Sequence, residues 1–134
     1  MGAVEEQNKE LAGVFMDALS RADVAKVDEL YAEDVVAAIP GTLPFSGTKT
    51  KAEALTGMPE VLNLFPDGLK FTITSLTAEG DRVAIEATSE GKTFRGDLYQ
   101  QSYHFLLRAR DGKVVEWKEY MDTMHANDVL CGGS

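Results

Sequence analysis

Residues 93–122 read TFRGDLYQQSYHFLLRARDGKVVEWKEYMD. Asp111-Gly112 is a strong hairpin signal, because a two-residue turn that matches strand twist needs residues tolerant of positive φ. The flanks, Thr93–Arg110 and Lys113–Asp122, are rich in aromatic and β-branched residues and predict two long antiparallel strands. Both exceed the usual length of about five or six residues. Strands of that length must twist, and a strongly twisted sheet curls around whatever covers its concave face.

A two-residue turn sets Arg110 opposite Lys113. Continued without interruption, that register places Leu106 opposite Trp117, His104 opposite Glu119 and Ser102 opposite Met121 on one face. A three-residue turn with a glycine bulge would instead set Lys118 opposite His104, and a bulge further along could restore the first pairing. In the first register a histidine and a carboxylate share a face with Trp117, Leu106 and Met121. Glu119 could then orient the His104 ring and stabilise its protonated form, or act as the base itself once desolvated near Trp117. Trp117 would supply an apolar wall and an N–H donor. The plain alternative is a structural hydrogen bond or a contact in a dimer interface.

Upstream, residues 5–20 predict a helix with Leu11, Val14, Phe15, Ala18 and Leu19 as its apolar stripe. Asp23 fits the N-cap of a second helix, whose apolar side holds Val24, Val27, Leu30 and Tyr31. Residues 34–39 are strand-like and end at the turn signal Pro40-Gly41. An irregular crossing reaches Gly47, and a short helix runs from about Lys49 to Thr56. Gly57 and Pro59 interrupt it, and Glu60–Phe65 adds a helical turn or two. Strands follow over Leu69–Ala78 and Arg82–Ser89, with turns at Glu79-Gly80-Asp81 and Glu90-Gly91-Lys92. Helices first and a meander of long strands last predict an α+β fold. Three N-terminal helices cover one face of a strongly curved antiparallel or mixed sheet and enclose an apolar pocket. The 134 residues suit one domain, 1–134, with an ordered core over about 5–128 and a frayed tail over 131–134.

The formal net charge of -9 argues against a nucleic-acid footprint and, more weakly, against an anionic membrane surface. Neutral, apolar or cationic ligands stay open. Cys131 is the only cysteine, so no intramolecular disulfide is possible. The amino terminus carries no signal-peptide pattern and the chain no transmembrane run, which makes a cytoplasmic protein the expectation. His104 and His125 lack metal-ligand spacing, and no glycine-rich phosphate loop or dinucleotide fingerprint occurs, so neither metal nor cofactor is expected.

Among the other polar residues, Tyr99, Tyr103 and Tyr120 could offer hydroxyls to a ligand oxygen or simply pack on the sheet. Asp122 is a further candidate catalyst, or a residue tying down a turn. Glu86 has the parity of the outer face, towards solvent or a partner subunit. Met16, Met58 and Met121 read as core or pocket filler.

Several segments together resemble the nuclear-transport-factor-2-like superfamily, in its SnoaL-like and ketosteroid-isomerase-like branch. They are Val24–Val36, Ile39-Pro40-Gly41 through Pro44–Gly47, Tyr103-His104-Phe105, Asp111–Val115 and Lys118–Thr123. The resemblance implies a cone-shaped domain with an apolar cavity, often a homodimer formed through the sheet. Function does not follow from the fold alone. The ketosteroid isomerases use a first-helix tyrosine, where this chain has Phe15, and an aspartate before the crossing proline, where it has Ile39. The arginine and aspartate of limonene-epoxide-hydrolase-like members fall on Ala87 and Ser89, while their tryptophan and second acid fall on Trp117 and Glu119. The SnoaL-like polyketide cyclases are closest: their histidine and acid match His104 and Glu119, with glutamate replacing the usual aspartate.

The resulting expectation is a cofactor-independent acid–base enzyme for a small apolar carbonyl compound, of isomerase or cyclase type. Its catalytic candidates are His104, Glu119 and Asp122, and its ligand-binding candidates are Trp117, Phe15, Tyr31, Leu106, Met121 and Ser102. The alternatives are a noncatalytic ligand-binding or dimeric helper domain, and a hydrolase or dehydratase using the same pocket.

Overall fold

A computed structural model describes residues 2–132. Its elements are α1 (Ala3–Ser20), α2 (Val24–Leu30), β1 (Tyr31–Ile39), β2 (Gly47–Lys49), α3 (Lys51–Leu62), β3 (Lys70–Glu79), β4 (Arg82–Lys92), β5 (Leu98–Arg110), β6 (Lys113–Met121) and α4 (Thr123–Leu130). The strands form one mixed sheet in the order β2-β1-β6-β5-β4-β3. β1 runs parallel to β6, and every other neighbouring pair is antiparallel.

The helices follow their local signals with four corrections. In α1, Leu11, Ala12, Phe15, Met16, Ala18 and Leu19 are buried, whereas Val14 stands on the solvent side. Asp23 caps α2 as expected, its carboxylate accepting from Lys26 N–H. Tyr31, expected on that helix, instead opens β1. α3 starts at a capping box in which Thr50 and Glu53 satisfy each other's backbone N–H groups. It runs unbroken through Gly57 and Pro59, because a proline near the end of a helix removes one hydrogen bond while Met58, Val61 and Leu62 still find a wall to line. The fourth helix, α4, had no counterpart in the expected elements; Asp122 is its N-cap.

Two strand boundaries also move. β4 continues through Gly91 to Lys92, and the connection is Thr93–Asp97, closed by hydrogen bonds between Thr93 and Asp97 and by Gly96 at positive φ. α4 is helical to Leu130, and of the expected tail over 131–134, Gly133 and Ser134 lie outside the described residues.

Bulges set the curvature. The turn is the two-residue form, with Asp111 at φ 52 and Gly112 at φ 76 and Arg110 opposite Lys113. One step later the ladder shifts: Ala109 faces Val114, but Arg108 faces Glu116. Val115 is the extra residue. A similar shift between Ile73 and Ser75 lets Phe71, Ile73, Leu76 and Ala78 all pack inward. Each bulge adds local twist and bends its strand. The core lies on the concave face, where Val83, Ile85, Ala87, Phe105, Leu107, Val114 and Trp117 meet the buried side of α1.

Gly91 shows how closely β4 packs against the segment between α3 and β3. A Cβ there would sit 2.7 Å from the carbonyl oxygen of Gly68 and 3.1 Å from the Phe65 ring. Gly91→Ala is therefore expected to lower stability by about 1–3 kcal/mol. Gly13→Ala, in open space on α1, should raise it by about 0.4–1 kcal/mol. Denaturant midpoints of the two variants check both signs.

Candidate functional site

A cavity of about 720 Å³ lies between the concave sheet and α3, within the range typical of small-molecule pockets. β1 contributes Tyr31 and Ala37, and β5 contributes Tyr99, Tyr103 and Phe105. β6 contributes Trp117, Glu119 and Met121, α3 contributes Met58 and Val61, and Leu130 of α4 closes one end. The sheet wall is a row of rings. Tyr103 stacks on Phe105 with centroids 4.8 Å apart, and Phe105 stacks on Trp117 at 4.7 Å. Phe15 stands behind Trp117 at 4.5 Å, buttressing the wall rather than lining it.

Glu119 is the acid within this apolar surface. It faces Phe105 across the ladder, and its Oε1 accepts the Trp117 indole N–H at 2.9 Å. Solvent reaches it only partly. Burial pushes its carboxyl above the ordinary carboxylate range, while the Trp117 hydrogen bond and the Lys49 ammonium pull the other way. Around it stand neutral phenols. Burial first, and the Glu119 charge second, raise Tyr31. Burial is also the main cause at Tyr99 and Tyr103. Tyr103 is hydrogen-bonded to Ser89 Oγ at 2.8 Å, and Tyr99 accepts from Gln101 Nε2 at 2.9 Å.

The expected His104–Glu119 pair does not form. The bulge at Val115 moves the register by one, so His104 faces Tyr120 on one side and Glu86 on the other, on the exposed outer face. Ser102 and Leu106 share that parity and leave the pocket with it. Asp122 caps α4, accepting from His125 N–H, and does not line the cavity. Trp117, Tyr31, Met121 and Glu119 do line it. The residues that sequence reasoning undervalued are Tyr99 and Tyr103, together with Ser89 and Gln101 behind them. Their signal was the alternation on β5, where Tyr99, Tyr103, Phe105, Leu107 and Ala109 share one parity and Gln100, Ser102, His104, Arg108 and Arg110 the other.

Among the described residues, no group of three histidine, cysteine, aspartate or glutamate side chains is placed to hold a metal ion. No helix is long and apolar enough to cross a membrane.

The model of the SnoaL-like domain family matches residues 13–117. The chain belongs to this family. The match ends two residues before Glu119, so the acid lies just past the matched segment. SnoaL-like and NTF2-like structures share its fold. AclR from Streptomyces galilaeus, provisionally described as a hydroxylase, is 24% identical with a TM-score of 0.80, over 97% of this chain and 87% of its own. A protein from Jannaschia sp. CCS1, provisionally described as a SnoaL-like polyketide cyclase, is 18% identical with a TM-score of 0.84, over 97% and 95%. An NTF2-like protein from Burkholderia xenovorans LB400 is 23% identical with a TM-score of 0.75, over 96% and 98%. At these identities the likeness shows the fold alone. No curated protein sequence matches significantly.

The raised carboxyl predicts a pH signature for this SnoaL-like protein. Its folded pKa lies above the unfolded value, so its favourable share of stability is present below the ordinary carboxylate range. That share is lost as pH rises through the folded value. Glu119→Gln removes the titration and keeps an acceptor for the Trp117 N–H. The melting temperature of the variant relative to wild type should therefore rise between about pH 4 and pH 8. A gap that is constant or shrinks with pH would contradict a desolvated carboxylate.

Proposed function

We propose that this SnoaL-like protein binds a small apolar carbonyl compound and moves a proton on it, without a cofactor, using Glu119 as the base. The observation that supports the reading best is the Glu119 carboxylate, held by an indole N–H on the aromatic sheet wall of a cavity where burial raises its proton affinity, while the other acids lining the cavity, Glu53 and Glu60, stand across it on α3. A carboxyl tuned upward is a better base for a carbon acid than one in water.

The step balances within protein and ligand. Glu119 takes a proton from the carbon next to the carbonyl, and the C–H electron pair moves into the ligand to give an enolate. Where a C=C bond adjoins that carbon, the resulting dienolate reclaims the proton at its far carbon and the double bond moves, which is isomerisation. Alternatively the enolate carbon attacks a second carbonyl of the same molecule, and the new alkoxide takes the proton from Glu119, which is cyclisation. The provisional description of the Jannaschia protein as a polyketide cyclase is consistent with the second route. His104 has no part in either.

The test is solvent deuterium exchange at the α-carbon of a panel of apolar ketones, followed by NMR. Wild type should accelerate exchange on at least one member, and Glu119→Gln should lose about 10²–10⁴-fold of that rate. His104→Ala should exchange like wild type, since the ring sits on the other face of the sheet. Binding of the ketones with no exchange by wild type, or equal rates in wild type and Glu119→Gln, would replace the enzyme with a binding domain.

A further inference from the structure

Proton removal by Glu119 leaves a negative charge on the ligand oxygen, and some part of the wall must receive it. The hydrogen bonds around Gln101 show which. This side chain is 3% exposed, and all its polar atoms are engaged. Its Oε1 lies 2.9 Å from Ser102 N and 3.0 Å from Asp122 N. Both are backbone N–H groups, which can only donate, so the atom they address is the amide oxygen and the amide orientation is fixed. Nε2 is therefore the amino group. It donates to the Asp122 carbonyl oxygen at 3.0 Å and to the Tyr99 hydroxyl oxygen at 2.9 Å. An amino group cannot accept. The Tyr99 proton must consequently point away from Gln101.

Tyr103 lies beside it. The two phenols interact, both line the cavity, and the Tyr103 hydroxyl has one further partner, Ser89 Oγ. A serine hydroxyl can donate as well as accept, so Ser89 can donate to Tyr103 and free the phenolic proton for the cavity. The two phenols are also hydrogen-bonded to each other, so one of their protons is spent between them. The other can be presented to the cavity, a relay that ends in one neutral O–H donor on β5, in the same cavity as the β6 carboxylate.

We propose that Tyr99 and Tyr103 form an oxygen-binding subsite for the carbonyl and enolate oxygen of the ligand, with Gln101 as the positioning residue that fixes Tyr99 as a donor. This rests on the proton-transfer reading above and deepens it: the ligand carries an oxygen that becomes anionic next to its acidic carbon. Donors placed where charge develops stabilise it most in a site shielded from water.

The probe is a phenol whose phenolate mimics the enolate, para-nitrophenol or beta-naphthol, read by its own absorbance or fluorescence. It is bound to Glu119→Gln, which mimics the protonated base and performs no turnover. The phenolate should bind more tightly than the phenol, so affinity rises as pH passes through the pKa of the probe. Tyr99→Phe and Tyr103→Phe should each weaken phenolate binding about 10-fold or more, and neutral phenol far less. Gln101→Glu keeps an acceptor for both backbone N–H groups but turns the donor to Tyr99 into an acceptor. It should weaken phenolate binding as Tyr99→Phe does. In a Tyr99→Phe background it should add little, whereas simple charge repulsion would add its full effect. Should Gln101→Glu fail to fold, Gln101→Met, which removes the donor to Tyr99 together with the acceptor of the two backbone N–H groups, takes its place in the same cycle. Preference for the neutral phenol, no binding of either form to the folded protein, or a loss seen only in Tyr31→Phe would overturn the subsite. None of these outcomes depends on whether wild type exchanges ketone protons, so the base and the subsite can fail separately.

Discussion

Val115 is one residue more than the ladder between β5 and β6 can pair, and the site depends on that surplus. In an unbroken antiparallel pair, side-chain parity runs without interruption from the turn to the strand ends. The bulge reverses it on β6 alone. Val114 beside the turn and Trp117 beyond it are therefore both buried on the concave face, although two residues separate them and unbroken alternation would put them on opposite faces. From Trp117 onward, Glu119 and Met121 inherit the inward parity. Without the bulge, the positions after Val114 that face inward would be Glu116, Lys118 and Tyr120. The core would then receive two charges in place of an indole.

The same shift explains why Glu119 can be tolerated. A carboxylate on the concave face leaves water, which is unfavourable unless its lone pairs are addressed. Trp117 is two residues away on the same strand face, so its N–H reaches Oε1 without any tertiary adjustment. Lys49, which lines the same cavity from β2, contributes a positive charge without forming an ion pair to Glu119 among the described residues. These partners hold the carboxylate, yet burial still outweighs them, and the group keeps an affinity for protons. A closer cation would have made Glu119 a structural ion pair and a poorer base.

Much of the architecture was legible in the chain. Asp23 announced α2, the α1 stripe announced a buried helix face, and Asp111-Gly112 announced a two-residue turn with both residues at positive φ. These are local signals, resolved within one turn of chain. The misread parts depend on distant neighbours. Pro59 was read as a helix breaker because the cavity wall that keeps α3 going was out of sight. α4 was missed although Asp122, Ala126, Val129 and Leu130 supply a cap and an apolar stripe. The hairpin pairing was extrapolated six residues out from a correct turn, and one bulge on β6 sufficed to set Glu119 on the face opposite to His104. The chemistry of the hairpin alone favoured His104 with Glu119. The alternation on β5 opposed it, since His104 keeps company with Gln100, Ser102, Arg108 and Arg110. Parity along a whole strand is a burial statement, and it outranks the attraction of one acid–base pair.

The electrostatics of the cavity also narrow the kind of reaction it suits. Creating a second negative charge in an apolar enclosure that already holds a carboxylate would meet strong repulsion at low dielectric. Moving the existing charge would not. In the proposed transfer Glu119 loses its own desolvation cost as it accepts a proton, and the charge reappears on the ligand oxygen. Two features favour that transfer: the raised proton affinity on β6, and neutral phenols raised by burial on β5, which donate without themselves ionising. The wall between them is made of rings, which exclude water but present no competing charge. Hydrolysis asks for something different, a held water and a second group to activate the leaving atom. Asp122, which the sequence offered as a further catalyst, is occupied at the helix cap. The cavity is thus better matched to relocating one charge within a ligand than to bringing in a new nucleophile.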